Sequence, residues 1–239
     1  LILGVLALLA APAAAQGLRL AVWNVELTRQ GPGLLLRDLR GGKDAQVAAV
    51  IAGIVALDAD ALLLTAFDWD LDGLALAALA DRLAAAGAPY PYRFALRPNT
   101  GMATGLDLDG DGRSGGPRDA QGWGRFAGEG GMAILSRLPI DAAAAIDHSD
   151  RLWRDLPGAI PPDMPPEVAA IQRLSTTGHW EVPLVLPGGG RLTLLAFHAT
   201  PPVFDGPEDR NGRRNRDEAA FWVQRLSGTF GPPPAPPFA

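Results

Sequence analysis

Between residues 18 and 25 apolar and polar positions alternate, with Leu18, Leu20 and Val22 on one face and Asn24 following them at the end. A period of two belongs to a strand, so a β-strand with an amide at its carboxyl end is predicted. After Asp44 the period changes. Val47, Val50, Ile51, Ile54 and Val55 recur at helical spacing, which predicts a helix through about residue 57 with Asp44 as its cap. Residues 61–67 form a short apolar run suited to a buried strand. Leu76, Leu79 and Leu83 then predict a second helix over 73–86, capped by Asp72. Further strands are predicted near 92–96, 131–136, 180–186 and 191–197. The last two are antiparallel across Pro187-Gly188-Gly189-Gly190, and a helical pattern follows over 217–227. Strand, helix, strand, helix implies an α/β layering. Two stretches, 98–129 and 147–178, show no period and are rich in Gly, Pro, Asp and Arg. Segments of that length are functional loops or disordered ones.

The chain has 239 residues, 48% of them hydrophobic, enough for one sizeable core. Its net charge of −5 argues against coating nucleic acid through a basic surface, so any phosphate site must be local. There is no cysteine, which excludes disulfides and thiolate metal sites. Leu1 to Ala11 is continuously apolar and is followed by Pro12 and Ala13-Ala14-Ala15, the form of a secretory leader cleaved after residue 15. Its front lacks a methionine and a basic segment. Export to the periplasm or medium is expected. The stretch is too short for a bilayer span, which takes about 20 residues. A monomer is expected.

Chemistry concentrates in two places. Arg210, Arg213, Arg214 and Arg216, with Asn215 among them, follow a strand-end histidine, His198, and the stiff turn Thr200-Pro201-Pro202. Guanidinium groups grip phosphate oxygens in pairs, so one reading is a phosphate-facing corner. The other is a solvated run paired with Glu208, Asp209, Asp217 and Glu218. Asp107-x-Asp109-x-Asp111-Gly112 has the spacing of the first half of a calcium loop, but the bidentate position falls on Arg118, with Asp119 one place late. It reads either as a hard-cation site or as an acidic flexible loop. Trp123, Phe126, Trp153 and Trp180 are core residues or, if exposed, stacking platforms.

Taken in order, the strand Leu-Arg-Leu-Ala-Val-Trp-Asn-Val-Glu (18–26), Asp-Ala-Asp-Ala-Leu-Leu-Leu (58–64) with Phe-Asp-Trp-Asp (67–70), Gly-Gly-Met-Ala-Ile-Leu-Ser-Arg-Leu-Pro-Ile (130–140), and the segment from His198 to Glu218 resemble the endonuclease/exonuclease/phosphatase superfamily, in particular its secreted bacterial branch. The resemblance covers nearly everything after residue 15. It implies an α/β fold, the N-terminal part of a four-layer sandwich in which two mainly antiparallel sheets are flanked by helices, incomplete at its C-terminus. It also implies metal-dependent hydrolysis of a phosphodiester, in nucleic acid or a smaller molecule, with Mg2+ or Mn2+. Asn24 and His198 match the family's metal/phosphate-contacting asparagine and phosphate-binding histidine; Asn99 and His179 match segments along its cleft.

Two departures stand out. Where the family carries its metal-binding glutamate this chain has Ala66, with Asp68 two residues on as a substitute ligand. The family's later strand ending in Asp-x-Asn and its terminal histidine, which help activate the nucleophile, are not matched in this sequence, so the chain by itself is expected to be inactive. Rival readings are a non-catalytic binding protein that lost its metal ligand, and a calcium-stabilised extracellular interaction domain.

Overall fold

The computed structural model describes residues 17–234. The proposed leader lies outside them. Seven strands and five helices follow in the order β1 (Leu20–Leu27), α1 (Leu34–Gly41), α2 (Ala45–Leu57), β2 (Ala61–Phe67), α3 (Leu74–Ala85), β3 (Tyr92–Phe94), β4 (Gly131–Ser136), β5 (Ile146–Asp147), α4 (Pro166–Ala169), β6 (His179–Val185), β7 (Arg191–Phe197) and α5 (Arg210–Ser227). One sheet has the order β1-β2-β4-β3, the other β5-β6-β7. β1 and β2 run parallel; every other pairing between neighbouring strands is antiparallel.

Four layers follow from how each strand divides its side chains. Odd residues of β1 (Trp23, Val25, Leu27) and Leu62 and Leu64 of β2 pack against α1, α2 and α3. Leu63 of β2, with Met132 and Ile134 of β4, faces Trp180, Val182, Leu194 and Ala196 of the second sheet, forming the layer between the sheets. Leu195 and Phe197 of β7 turn the other way, onto Phe221 and Trp222 of α5. The sandwich predicted from sequence is present.

Local chemistry explains the element boundaries. Asp44 caps α2 by accepting the Val47 amide at 2.8 Å. The cap of α3 is Asp70 instead of Asp72: its two oxygens take the amides of Leu74 and Ala75 at 2.7 and 2.8 Å, because Gly73, left-handed at φ 65°, brings the chain back over it. The long stretch 98–129 is ordered. Gly101, at φ 68°, donates its amide to the Gly122 carbonyl at 2.9 Å, and a Cβ there would lie 1.8 Å from the Phe126 carbonyl oxygen. β1 and β7 are the outer strands of their sheets on one shared flank, where Leu20 and Val22 are exposed and line a cleft with Leu194 and Ala196.

Candidate functional site at the ends of β1 and β7

The cleft fixes the geometry of its end. Asn24 has the same strand parity as Leu20 and Val22, and His198 the same parity as Leu194 and Ala196, so both belong to the faces that look into the space between the sheets. The charge of the Glu26 carboxylate, near the end of β1, acts on His198 and favours its protonated form. Burial pushes His198 below its ordinary value of 6.5 against that attraction, so the ring is neutral at neutral pH. Its Nδ1 is buried and unpartnered among the described residues.

Glu26 was not foreseen as a site residue. It stands two residues after Asn24 where the pairing of β1 with β2 slips, from Asn24 opposite Thr65 to Leu27 opposite Phe67. Glu26 adopts φ 51°, its amide donating to Asn24 Oδ1 at 3.2 Å and its carbonyl accepting from Gln46 Nε2 at 2.7 Å. Beside it Ala66 adopts φ 53° at a second slip, between β2 and β4. Bulges of this kind re-aim side chains and concentrate near active sites. Only the acidic residue at an Asn24-x-Glu26 spacing was readable in advance.

Most of the other expected site residues are engaged elsewhere. The Arg214 guanidinium is buried and donates to four carbonyls, those of Leu174, Gln121, Arg173 and Ser175, at 2.7–3.1 Å, so it faces the loops and is spent there. Arg210 donates to the Leu108 carbonyl at 3.3 Å and to Gln172. Asn215 donates to the Thr200 carbonyl at 2.7 Å, while Glu218 accepts the Thr200 amide at 2.8 Å, so α5 clamps both backbone groups of Thr200, two residues after His198. Arg216 bonds the Gly158 carbonyl and Asp217. Arg213 alone of the four arginines has no side-chain hydrogen bond or ion pair among the described residues. The phosphate-facing corner expected from the arginine run is therefore a buried polar junction with one uncommitted guanidinium.

Asn99 is fully buried, its amide donating to the Ser149 and Ser175 carbonyls at 2.7 Å and its oxygen accepting from Arg173 at 2.8 Å. His179 is enclosed by Phe197, Phe221 and Trp222, with Ser175 Oγ at 2.5 Å on Nδ1 and the Glu218 carbonyl at 3.0 Å on Nε2; burial pushes its pKa down to about 4. Neither reaches the cleft. Asp68 is buried, and its two oxygens accept the amides of Arg29 (2.8 Å) and Gly130 (3.0 Å), which ties β1, β2 and β4 together and leaves it poorly placed to stand in for a ligand at Ala66. Trp153 and Trp180 are core residues, whereas Trp123 is exposed.

The acidic loop gathers differently from its sequence spacing. Asp107, Asp109 and Asp119 bring carboxylate oxygens within 4.8 Å of one another, while Asp111 turns away to accept the Arg113 amide at 2.8 Å. The residue one place late in the count is the one the fold delivers, because a 3-10 turn over Pro117–Asp119 folds it back.

A family model described as the Endonuclease/Exonuclease/phosphatase family matches residues 21–238. The chain belongs to this family. Members are phosphoesterase and nuclease-like hydrolases, and both the fold class and the resemblance drawn from the motifs agree with that membership. A solved structure titled the endonuclease/exonuclease/phosphatase from Beutenbergia cavernae DSM 12333 aligns at 18% identity and a TM-score of 0.48, over 88% of this chain and 43% of its own. The chain thus spans less than half the length of that protein. No curated protein matches the sequence. Among the described residues no helix is long and apolar enough to cross a membrane.

Proposed function

We propose that this chain contributes the Asn24 and His198 side of a metal-dependent phosphodiesterase site in an exported protein, periplasmic or secreted. Phosphodiester hydrolysis needs a divalent ion, donors for the phosphate oxygens and a base for water. The observation that carries the reading is the cleft lined by two edge strands of opposed sheets, whose ends carry an amide, a carboxylate with no partner among the described residues and a neutral histidine with an unpartnered nitrogen. His198 and Arg213 suit phosphate oxygens; Asn24 and Glu26 suit a hard cation such as Mg2+ or Mn2+. Water activation is assigned to the family's later strand ending in Asp-x-Asn and to its terminal histidine, which are not matched in this sequence. The free flank of β1 and β7 is where elements carrying them would add, and the 239-residue chain alone is expected to be inactive. Nucleic acid is one substrate and a smaller phosphodiester another.

The test is cleavage of bis(p-nitrophenyl) phosphate and of duplex DNA by a protein containing this chain and those motifs, with Mg2+, with Mn2+ and with EDTA. Substituting Ala for His198 or Asn24 is expected to lower kcat about 100-fold or more. Metal-independent cleavage, or no effect of either variant, would overturn the reading.

A second reading rests on Asp107, Asp109 and Asp119, whose mutual repulsion a calcium ion would relieve. Calcium should then raise the melting temperature, and the pair Asp107→Asn and Asp109→Asn should abolish the rise.

A further inference from the structure

The family's position for a metal-binding carboxylate holds Ala66, which offers no side-chain oxygen. The nearby acids differ sharply in freedom. Both oxygens of Asp68 are taken by backbone amides. Glu129 is buried and held by Arg125, whose backbone amide reaches Oε2 at 2.6 Å and whose Nε reaches Oε1 at 2.8 Å. Glu26 is exposed, and its carboxylate has no hydrogen bond or ion pair among the described residues.

Glu26 and Ala66 are neighbours across the β1–β2 pairing, since the registers on either side are Asn24 with Thr65 and Leu27 with Phe67. Both occupy the left-handed region, at φ 51° and 53°. That conformation is unfavourable for a residue with a Cβ and persists where surrounding bonds over-determine it. At Glu26 they do: Asn24 takes its amide and Gln46 its carbonyl, so the backbone is fixed while the side chain is left to solvent. A magnesium-type ion is commonly held by one or two carboxylates, with water and substrate phosphate completing the octahedron. Asn24 Oδ1 accepts only one hydrogen bond, at 3.2 Å, and an amide oxygen has two lone pairs.

We propose that Glu26, with Asn24, supplies the cation site of this protein from β1, replacing the carboxylate missing from β2 at position 66. The substitution moves the ligand across one strand pairing while keeping it at the His198 end of the cleft. The proposal rests on the phosphodiesterase reading given above.

The experiment uses the 239-residue chain carrying Asp107→Asn and Asp109→Asn, so that the loop carboxylates do not contribute. Mn2+ binding is followed by electron paramagnetic resonance and by calorimetry. One Mn2+, displaced by Mg2+, is expected. Glu26→Gln should weaken it about tenfold or more without changing the melting temperature, because removing even an outer-shell partner of a metal has an effect of that size. Adding Ala66→Glu to Glu26→Gln should restore binding. The proposal is overturned if the background protein binds no Mn2+, or if Glu26→Gln leaves the affinity unchanged. The two readings separate in a hydrolytically competent longer protein. Metal-dependent cleavage that survives Glu26→Gln keeps the enzyme and removes this ligand, whereas Mn2+ held through Glu26 without cleavage does the reverse.

Discussion

Arg214→Ala separates a phosphate-gripping arginine from a structural one. In the structure its guanidinium satisfies four loop carbonyls and is the attractive charge nearest Glu218, which is itself fully buried. Burial drives both groups toward neutrality, taking Arg214 down to about 10 and Glu218 up to about 7, so desolvation outweighs their attraction. Neither is an asset by charge alone; the loss comes from breaking the arrangement. Each buried hydrogen bond to a charged group contributes about 1.5–3 kcal/mol, and a carbonyl left dry costs about 1–3 kcal/mol unless water enters. Taking about 4 kcal/mol as a floor, and about 2–4 °C per kcal/mol for a domain of this size, Arg214→Ala should melt about 10 °C below wild type by calorimetry. Arg213→Ala, which removes no bond, should stay within about 0.5 kcal/mol of wild type and weaken inorganic phosphate binding instead. An Arg214→Ala protein with wild-type melting and lost phosphate affinity would refute the assignment.

His179 is buried neutral with a pKa near 4 against an ordinary 6.5. Its folded value is the lower one, so its contribution is complete above pH 6.5 and is lost as pH falls toward 4. His179→Gln should flatten that part of the acid limb in a melting-temperature series; an unchanged limb would count against a buried neutral ring. Asp68→Asn swaps one acceptor for a donor facing a backbone amide and should cost about 1–3 kcal/mol while leaving Mn2+ affinity intact. A loss of Mn2+ affinity would restore it as a ligand. Asn215→Ala frees the Thr200 carbonyl and loosens the clamp behind His198, so the His198 ring resonances should shift by NMR with about 1 kcal/mol of stability lost. Unmoved His198 resonances would show that the clamp does not position the ring.

The regular elements were legible where burial imposes a period. The strands over 61–67, 131–136 and 191–197 and the helix capped by Asp44 appear as read. α1 is not legible because Gly31, Gly33 and Gly42 bracket eight residues, the last of them Gly41, and mask its short apolar face, Leu35 and Leu39. The start of α5 was placed at 217 because its first two turns are charged; those charges are buried, at Arg214, Asp217 and Glu218, and loop amides and carbonyls satisfy them. A pattern that equates charge with solvent cannot see such a junction. The same blindness turned Arg214, Asn215, Asn99 and His179 into expected ligand contacts, while Glu26 was passed over because a left-handed bulge leaves no mark in the residue type. Asn24, closing an alternating strand, and His198, closing an apolar one, are legible as candidates because they stand at positions that the family resemblance marks.

The proposed site requires Asn24 and His198 to close on one anion and one cation. Paramagnetic broadening by substoichiometric Mn2+ tests it directly in the Asp107→Asn, Asp109→Asn protein labelled with 15N. The Asn24 side-chain amide and the His198 ring resonances should broaden together, before those of the 98–119 loop. Broadening of one without the other, or of neither, would contradict it.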